Sequence, residues 1–327
     1  MRETSFFMSG SVGSPLLWVG FTVLVFGILA LDLGLFQRKP KDLHFKEALF
    51  WVLIWVVTGL TFNAGIWFWF GPQKGLEFFT GYLIEYALSV DNIFVFLIVF
   101  SYFAVPSKYQ HRVIFWGILG AMLMRGIFIG AGSILLQKFH WILYIFGGFL
   151  IFTGIRTMFG QGEEHDPSKN PVFRIFRKWV PMTTEFHGSK FIVKRDGRKL
   201  ATPLLLVLVV VECTDVIFAI DSVPAIFAIT HDPFIIFSSN IFAILGLRAL
   251  YFVLAGVMGR LRYLKVGLGL ILTFVGIKMV IEKLYKFPIG ASLAIIGTIL
   301  ALSVIASLVY QKRQIQTAET RSVEKAS

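Results

Sequence analysis

Nine apolar stretches, each long enough to cross a lipid bilayer, constrain this chain more than any other feature of its sequence. A helix crosses the bilayer core with roughly 20 apolar residues. The stretches are 15–36, 45–70, 76–103, 113–136, 141–159, 202–230, 234–258, 263–284 and 289–310. With 56% hydrophobic and only 15% charged residues, the chain is also too apolar for a soluble enzyme. We therefore predict an all-α polytopic membrane protein with nine transmembrane helices.

The basic residues divide unequally between the two sides of these stretches. If the N-terminus lies outside, 23 of the 31 lysines and arginines fall on the inner side and five on the outer side. Cationic loops collect on the cytoplasmic side of a bilayer. The pattern predicts an outer N-terminus and an inner C-terminus. The net charge of +12 is explained by this topology, so we predict the lipid bilayer and no nucleic acid as a partner.

The order of the stretches divides the chain into five parts. An N-terminal two-span segment covers residues 1–75, and the ninth span with a cytoplasmic tail covers 288–327. Between them lie two three-span units, 76–159 and 202–287. A basic cytoplasmic loop, 160–201, joins the two units.

The 160–201 loop contains two local patterns. After an Asn-Pro pair at 170–171, apolar and basic residues recur at helical spacing, which predicts a short helix on the inner leaflet. Residues 190–201 flank an Asp-Gly pair at 196–197, which is typical of a β-hairpin. The loop is interpreted either as a solvated linker or as a regulatory site.

Acidic side chains inside the apolar stretches are the main candidates for function. Six of the 19 acidic residues fall there, although each costs roughly 2.5–3.5 kcal/mol at a helix centre. They are Asp32, Glu85, Asp91, Glu212, Asp215 and Asp221. Only two arginines, Arg125 and Arg248, lie at comparable depth. The excess of negative charge predicts a transported cation or protons.

Four of these acids form two matching motifs. An acid, five residues, an Asp and a small polar side chain begin at Glu85 in the third span and again at Asp215 in the sixth. The following span carries Arg125 in the first unit and Arg248 in the second. Because the units begin an odd number of crossings apart, they enter the membrane from opposite faces. The pattern predicts a 3+3 inverted repeat of spans 3–5 and 6–8, as in secondary transporters.

The side chains of the motifs limit the ion that they can bind. Carboxylates and an amide are hard oxygen donors, suited to Mn²⁺, Mg²⁺ or Ca²⁺. The predicted metal ligands are Glu85, Asp91, Asn92, Asp215 and Asp221. No permanently bound cofactor is predicted, and exchange of the metal for protons is a hypothesis.

The spacing of each motif also predicts a break in its helix. Two acids six residues apart lie about 9 Å apart along a straight helix and on faces roughly 120° apart. Both can reach one ion only if the helix kinks or unwinds. Pro224 supplies a cause in the second motif, because proline removes an amide donor.

The remaining charged residues each have two interpretations. Arg125 and Arg248 are predicted counter-charges of the metal-free site, and the alternative is a structural ion pair with the second acid of a motif. Glu212 is either a further ligand or a proton relay. Asp32 is either an interfacial ion-pair partner or a gate.

The two motifs and their surroundings resemble the TerC/Alx family of integral membrane proteins. The resemblance rests on residues 202–254 and on EYALSVDNIFVF at 85–96, and it runs from about residue 16 to residue 310. It implies a multi-pass protein of the bacterial inner membrane, related to LysE-type exporters. It further implies export of Mn²⁺ or its delivery to exported metalloenzymes, and an association with tellurium resistance. The predicted ligands match the acidic motifs of the family.

Two other functions stay open at the level of the sequence. Paired aspartates also activate water in aspartyl hydrolases, although the Gly-x-Gly-Asp context of intramembrane proteases is missing around these acids. A tellurite-resistance-associated assembly factor, working in a membrane protein complex, is the other alternative. We favour transport and predict that the chain is not an enzyme.

Overall fold

Apolar helices account for most of the chain. The computed structural model describes residues 11–36, 45–139, 141–159, 180–183, 185–195, 198–255, 263–281, 284–285 and 287–326, without the side chains of residues 31–36, 90–91, 94, 137, 195, 221, 264–265 and 311–326. The elements are α1 (Pro15–Phe36), α2 (Phe45–Phe70), α3 (Pro72–Tyr102), α4 (Ser107–Lys138), α5 (Ile142–Phe159), β1 (Ile192–Arg195), β2 (Arg198–Ala201), α6 (Pro203–Phe227), α7 (Pro233–Leu245), α8 (Leu247–Ala255), α9 (Leu264–Ile281) and α10 (Ile289–Ala326).

Several of these helices are long and apolar enough to cross a membrane. Within the described ranges, α2, α4, α5, α6 and α10 meet this condition by length and composition. The pair α7 and α8 adds a sixth span if the two helices, bent by 41°, form one crossing. Shorter apolar helices lie at Pro15–Ala30 and Val266–Ile281. The chain is therefore a helical, multi-pass membrane protein.

Helix α3 occupies the centre of the bundle. It packs against α2, α6, α7 and α10. Glu85 and Ser89 on this helix are fully buried. A helix that carries charge can lie among apolar spans when its neighbours pair with that charge.

The predicted helix breaks at the two acidic motifs are wrong. Helix α3 runs without interruption through Asp91, and α6 continues through Asp221 and Pro224 to Phe227. Pro224 lies in the last turn of α6, where the loss of one amide donor affects a single backbone hydrogen bond. In α3, packing on all sides outweighs the weak helix propensity of the motif.

The observed bend lies in the next span instead. Helices α7 and α8 meet at Gly246 with an angle of 41° between them. A Cβ atom at Gly246 would lie 3.3 Å from the Cβ of Trp55 on α2, which is tighter than most side-chain contacts. Trp55 of α2 therefore lies against the bend, which begins two residues before Arg248.

The predicted hairpin is confirmed. Strands β1 and β2 pair antiparallel, with Ile192 opposite Ala201 and Arg195 opposite Arg198. The hydroxyl of Thr202 donates to the carbonyl of Lys190 at 2.8 Å and thereby joins the hairpin to the start of α6. The predicted interfacial helix after residue 170 and the turn at 196–197 lie outside the described residues.

Helices α5 and α9 cross through two pairs of glycines. A Cβ at Gly147 would lie 2.9 Å from the carbonyl oxygen of Gly276, and one at Gly276 would lie 2.6 Å from that of Gly147. Gly154 and Gly269 approach in the same way, each at 2.6 Å from the carbonyl oxygen of the other. The order of these contacts reverses along the two chains, so the helices are antiparallel. Such close backbone contact requires the absence of side chains.

Candidate metal site

Arg125, in the middle of α4, is the centre of the buried polar site. Only 1% of the residue is exposed, and its guanidinium forms an ion pair with the fully buried Glu85 of α3. Its second terminal nitrogen, Nη2, lies 3.8 Å from Oδ1 of Asp215 on α6. One arginine thus lies between the first acids of both sequence motifs and offsets one of their two negative charges.

Asn240 of α7 connects the cation to the carboxylate. Its Oδ1 accepts a hydrogen bond from Nη1 of Arg125 at 2.8 Å, and its Nδ2 donates to Oε2 of Glu85 at 3.0 Å. Ser222 accepts a longer bond from the same guanidinium nitrogen at 3.4 Å. Asn240 was not predicted as a metal ligand, because an amide inside a span is more typical of an interhelical hydrogen bond. It is fully buried in the span that contains Arg248.

A close approach of α3 and α7 places Asn240 against Glu85. Gly81 lies one turn before Glu85, and a Cβ there would be 2.9 Å from the hydroxyl oxygen of Ser239. On the same helix, Ser89 lies one turn after Glu85 and donates to its Oε1 at 3.4 Å. Small side chains therefore surround Glu85 and leave room for the polar network.

Asp215 is only partly satisfied by this network. Its Oδ1 accepts from Nδ2 of Asn92 at 3.4 Å, whereas its Oδ2 is buried and has no hydrogen-bond partner. Nε of Arg125 is likewise buried without a partner. An unpaired carboxylate oxygen inside a protein is costly, and a bound cation would remove that cost.

The other predicted ligands are only partly described. Asn92 is 2% exposed and contacts Asp215. The backbones of Asp91 and Asp221 lie in α3 and α6, but their side chains, like that of Asp32, lie outside the described residues. Among the side chains that the structure describes, no three His, Cys, Asp or Glu residues form a group that could hold a metal ion. The complete ligand set therefore stays a prediction.

Glu212 and Arg248 are the other two charged candidates whose side chains the structure describes. The carboxylate of Glu212 packs directly on Gly120 of α4, where any Cβ would overlap it. This places Glu212 one turn before Asp215 on α6, in the groove between α6 and α4. Arg248 is 6% exposed at the start of α8, directly after the bend at Gly246. The role of Glu212 as a ligand or proton relay and the role of Arg248 as a counter-charge stay predictions.

A second charged group, which was not predicted from the sequence, joins the start of α3 to the start of α7. Nζ of Lys74 lies 2.8 Å from Glu77 and 3.5 Å from Asp232. The hydroxyl of Thr230 donates to Glu77 at 2.6 Å, and that of Ser11 donates to Asp232 at 2.7 Å. Asp232 also caps α7. An Asp directly before a Pro is a helix-start signal that predicts such a cap.

The cavity between α1, α4 and α7 does not fit a cation. It has a volume of 570 Å³, and its lining includes Trp18, Ile129 and Phe237. None of its lining residues is a carboxylate, and Ser133 contributes a buried hydroxyl. The polar network around Arg125 is therefore the better candidate for an ion site.

The fold and this site define a class of protein: a multi-pass helical membrane protein with a buried ion-pair network between its apolar helices. The sequence profile of the integral membrane protein TerC family matches residues 70–315. The chain belongs to this family, as the two acidic motifs predicted.

Bacterial relatives match nearly the whole chain. "Uncharacterized membrane protein STKORF319" of Myxococcus xanthus is 53% identical over 299 residues, which cover 91% of this chain and 94% of the relative. "Putative membrane-bound redox modulator Alx" of Escherichia coli K12 is 48% identical and covers 90% and 95% of the two chains. A Rickettsia bellii protein named "Uncharacterized membrane protein" is 42% identical, with 89% and 97% covered. No solved structure matches the chain.

Proposed function

We propose that this TerC-family protein is a secondary transporter of a divalent metal cation in the bacterial inner membrane. Mn²⁺ is the favoured cargo, and export is the favoured direction, with delivery to exported metalloenzymes as one use. The observation that carries the proposal is the buried, unpaired Oδ2 of Asp215 beside the ion pair of Glu85 and Arg125.

The donor atoms at the site support a hard cation. Carboxylate oxygens of Glu85 and Asp215 lie near the amide of Asn92 and the hydroxyls of Ser89 and Ser222. Oxygen donors of this kind suit Mn²⁺, Mg²⁺ and Ca²⁺, whereas zinc and copper sites favour His and Cys. Two carboxylates neutralise one divalent ion.

Nine spans and a 3+3 inverted repeat belong to the same proposal. Five long helices and the bent pair α7 and α8 supply up to six crossings. The proposal adds the shorter α1 and α9 and the charged α3 as crossings, which gives nine. The antiparallel crossing of α5 and α9 supports the repeat, because Gly147 and Gly154 of one unit contact Gly276 and Gly269 of the other reciprocally. Reciprocal contacts are expected where two inverted units meet.

Transport by purified protein in proteoliposomes tests the proposal. We expect wild-type protein to carry Mn²⁺ to an enclosed fluorescent indicator. Glu85→Gln and Asp215→Asn are expected to slow this uptake about tenfold or more, because each removes an anionic oxygen ligand. Glu185→Gln, the matched change at an exposed loop residue, is expected to retain wild-type uptake. Size-exclusion profiles verify that each variant is folded.

The result that contradicts the proposal is equally specific. Mn²⁺ uptake at the wild-type rate in folded Glu85→Gln and Asp215→Asn would show that the buried network does not carry the ion. Absence of uptake by the wild type, tested in both orientations and with Mg²⁺ and Ca²⁺, would contradict the transport function itself.

The arrangement of charge supports transport over an aspartyl hydrolase. An aspartyl hydrolase shares a proton between adjacent carboxylates, whereas here a guanidinium pairs with both Glu85 and Asp215. The redox activity in the name of the relatives would need an electron carrier. Cys213 is the single cysteine of these 327 residues, so dithiol exchange within the chain does not supply one.

A further inference from the structure

Arg125 lies where a transported cation would be expected, between acids of the two repeat units. It pairs with Glu85 of the first unit and approaches Asp215 of the second to 3.8 Å. Arginine keeps its charge at any physiological pH. Glu85 and Asp215 can therefore bind one metal ion together only if the guanidinium moves away from them.

The charges at the site fit an exchange of one cation for another. Among the described side chains, Glu85, Asp215 and Arg125 together carry one net negative charge. With a divalent ion in place of the guanidinium, the ion and the two carboxylates together carry no net charge. Without metal and without Arg125, they would carry two negative charges among apolar helices, which is costly.

The hydrogen bonds of Arg125 also leave it able to move. Its Nε is buried without a partner, and its bond to Ser222 is long at 3.4 Å. The unpaired Oδ2 of Asp215 shows that the carboxylate side is incomplete as well. A partly satisfied network has less to lose on rearrangement than a fully satisfied one.

We propose that Arg125 is an internal cation that exchanges with the transported metal. Its guanidinium occupies the pair of Glu85 and Asp215 in the metal-free protein and withdraws when the metal binds. The metal-free site then turns from one side of the membrane to the other while Arg125 offsets part of the negative charge of these acids. This return step allows net transport. This inference rests on the proposed function and deepens it.

Arg125→Gln separates a competing cation from a purely structural one. If Arg125 competes with Mn²⁺ for the carboxylates, Arg125→Gln binds Mn²⁺ about tenfold more tightly, since the guanidinium no longer occupies a fraction of the sites. Its net Mn²⁺ transport falls about tenfold or more relative to its Mn²⁺–Mn²⁺ exchange, because the two carboxylates of the metal-free site have no counter-charge. Equilibrium dialysis with radioactive Mn²⁺ and the two flux modes in proteoliposomes measure these changes.

Two further variants complete the experiment. Arg125→Lys keeps the positive charge and is expected to restore the ratio of net transport to exchange to within about threefold of wild type. Arg198→Gln makes the matched change on the exposed hairpin and is expected to alter neither binding nor the ratio. If Arg125→Gln does not fold, Mn²⁺ affinity and the ratio of net transport to exchange are measured on Arg125→Lys instead. A compact ammonium competes differently for the carboxylates, so the inference predicts a changed Mn²⁺ affinity.

The outcomes distinguish this inference from the proposed function. Weaker Mn²⁺ binding in folded Arg125→Gln, or equal loss of net transport and exchange, would overturn the role of internal cation while wild-type transport stands. Unchanged Mn²⁺ affinity in Arg125→Lys would overturn it as well. Absence of Mn²⁺ transport by the wild type would instead contradict the proposed function.

Discussion

The crossing of α5 and α9 makes a quantitative prediction about Gly276→Ala. The new methyl would lie 2.6 Å from the carbonyl oxygen of Gly147 and 2.9 Å from the backbone nitrogen of Ile151. Normal contacts are about 3.5–4.0 Å, and backbone atoms cannot yield by changing rotamer. The helices must therefore separate, which costs about 1–3 kcal/mol. Alanine returns about 1 kcal/mol in helix propensity, so the net loss of unfolding free energy is up to about 2 kcal/mol.

Gly148→Ala is the matched control for this prediction. Gly148 is exposed on α5, and a Cβ there meets nothing within 4 Å. Only the gain in helix propensity then applies, so the unfolding free energy of Gly148→Ala is unchanged or rises by up to about 1 kcal/mol. Thermal unfolding of both variants in detergent micelles measures the difference.

The reciprocal contact also predicts coupling between Gly147 and Gly276. Once one methyl has separated the helices, the second costs less, so the double variant is less destabilised than the sum by at least about 0.5 kcal/mol. Equal stability of Gly276→Ala and Gly148→Ala would refute the tight crossing. Strict additivity of the two changes would refute the shared contact and remove the support that it lends to an inverted repeat.

Three further predictions concern the network, the second charged group and the topology. Asn240→Leu is expected to lower the unfolding free energy by about 2 kcal/mol or more, because it leaves a buried oxygen of Glu85 without its donor; thermal unfolding measures it, and an unchanged midpoint would contradict it. Asp232→Ala is expected to lower the unfolding free energy by about 1–2 kcal/mol, because α7 loses its cap. It is also expected to speed proteolysis before α1, because Ser11 loses its bond to Asp232; an unchanged digestion rate would contradict this. In a cysteine-free background, an impermeant maleimide is expected to label Lys194→Cys from the cytoplasmic side and Leu284→Cys from the opposite side; labelling of both from one side would contradict the topology.

The sequence predicted the charged centre of the site for a clear physical reason. Charged side chains are expensive among apolar spans, so Glu85, Asp215 and Arg125 were recognisable without a structure. The structure brings these three together, with Asn92 beside Asp215. Periodicity could not supply this pairing, because it depends on how α3, α4 and α6 pack.

The uncharged part of the site and the position of the bend were not predictable in the same way. Asn240 is one of several polar residues in the spans, and only the approach of α7 to α3 gives it two partners. Pro224 was the stronger local signal for a break, yet its place in the last turn of α6 limits its effect. Gly246 was not predicted as a bend, and the residue that packs against it, Trp55, comes from another helix.

The location of the bound ion tests the central claim most directly. Crystals of the full chain grown with Mn²⁺, measured at the manganese absorption edge, would reveal the metal by its anomalous scattering. We expect a peak at about 2.0–2.6 Å from carboxylate oxygens of Glu85 and Asp215, with the guanidinium of Arg125 displaced from both. A peak at another place in the protein, with Glu85 and Arg125 still paired, would contradict the proposed metal site.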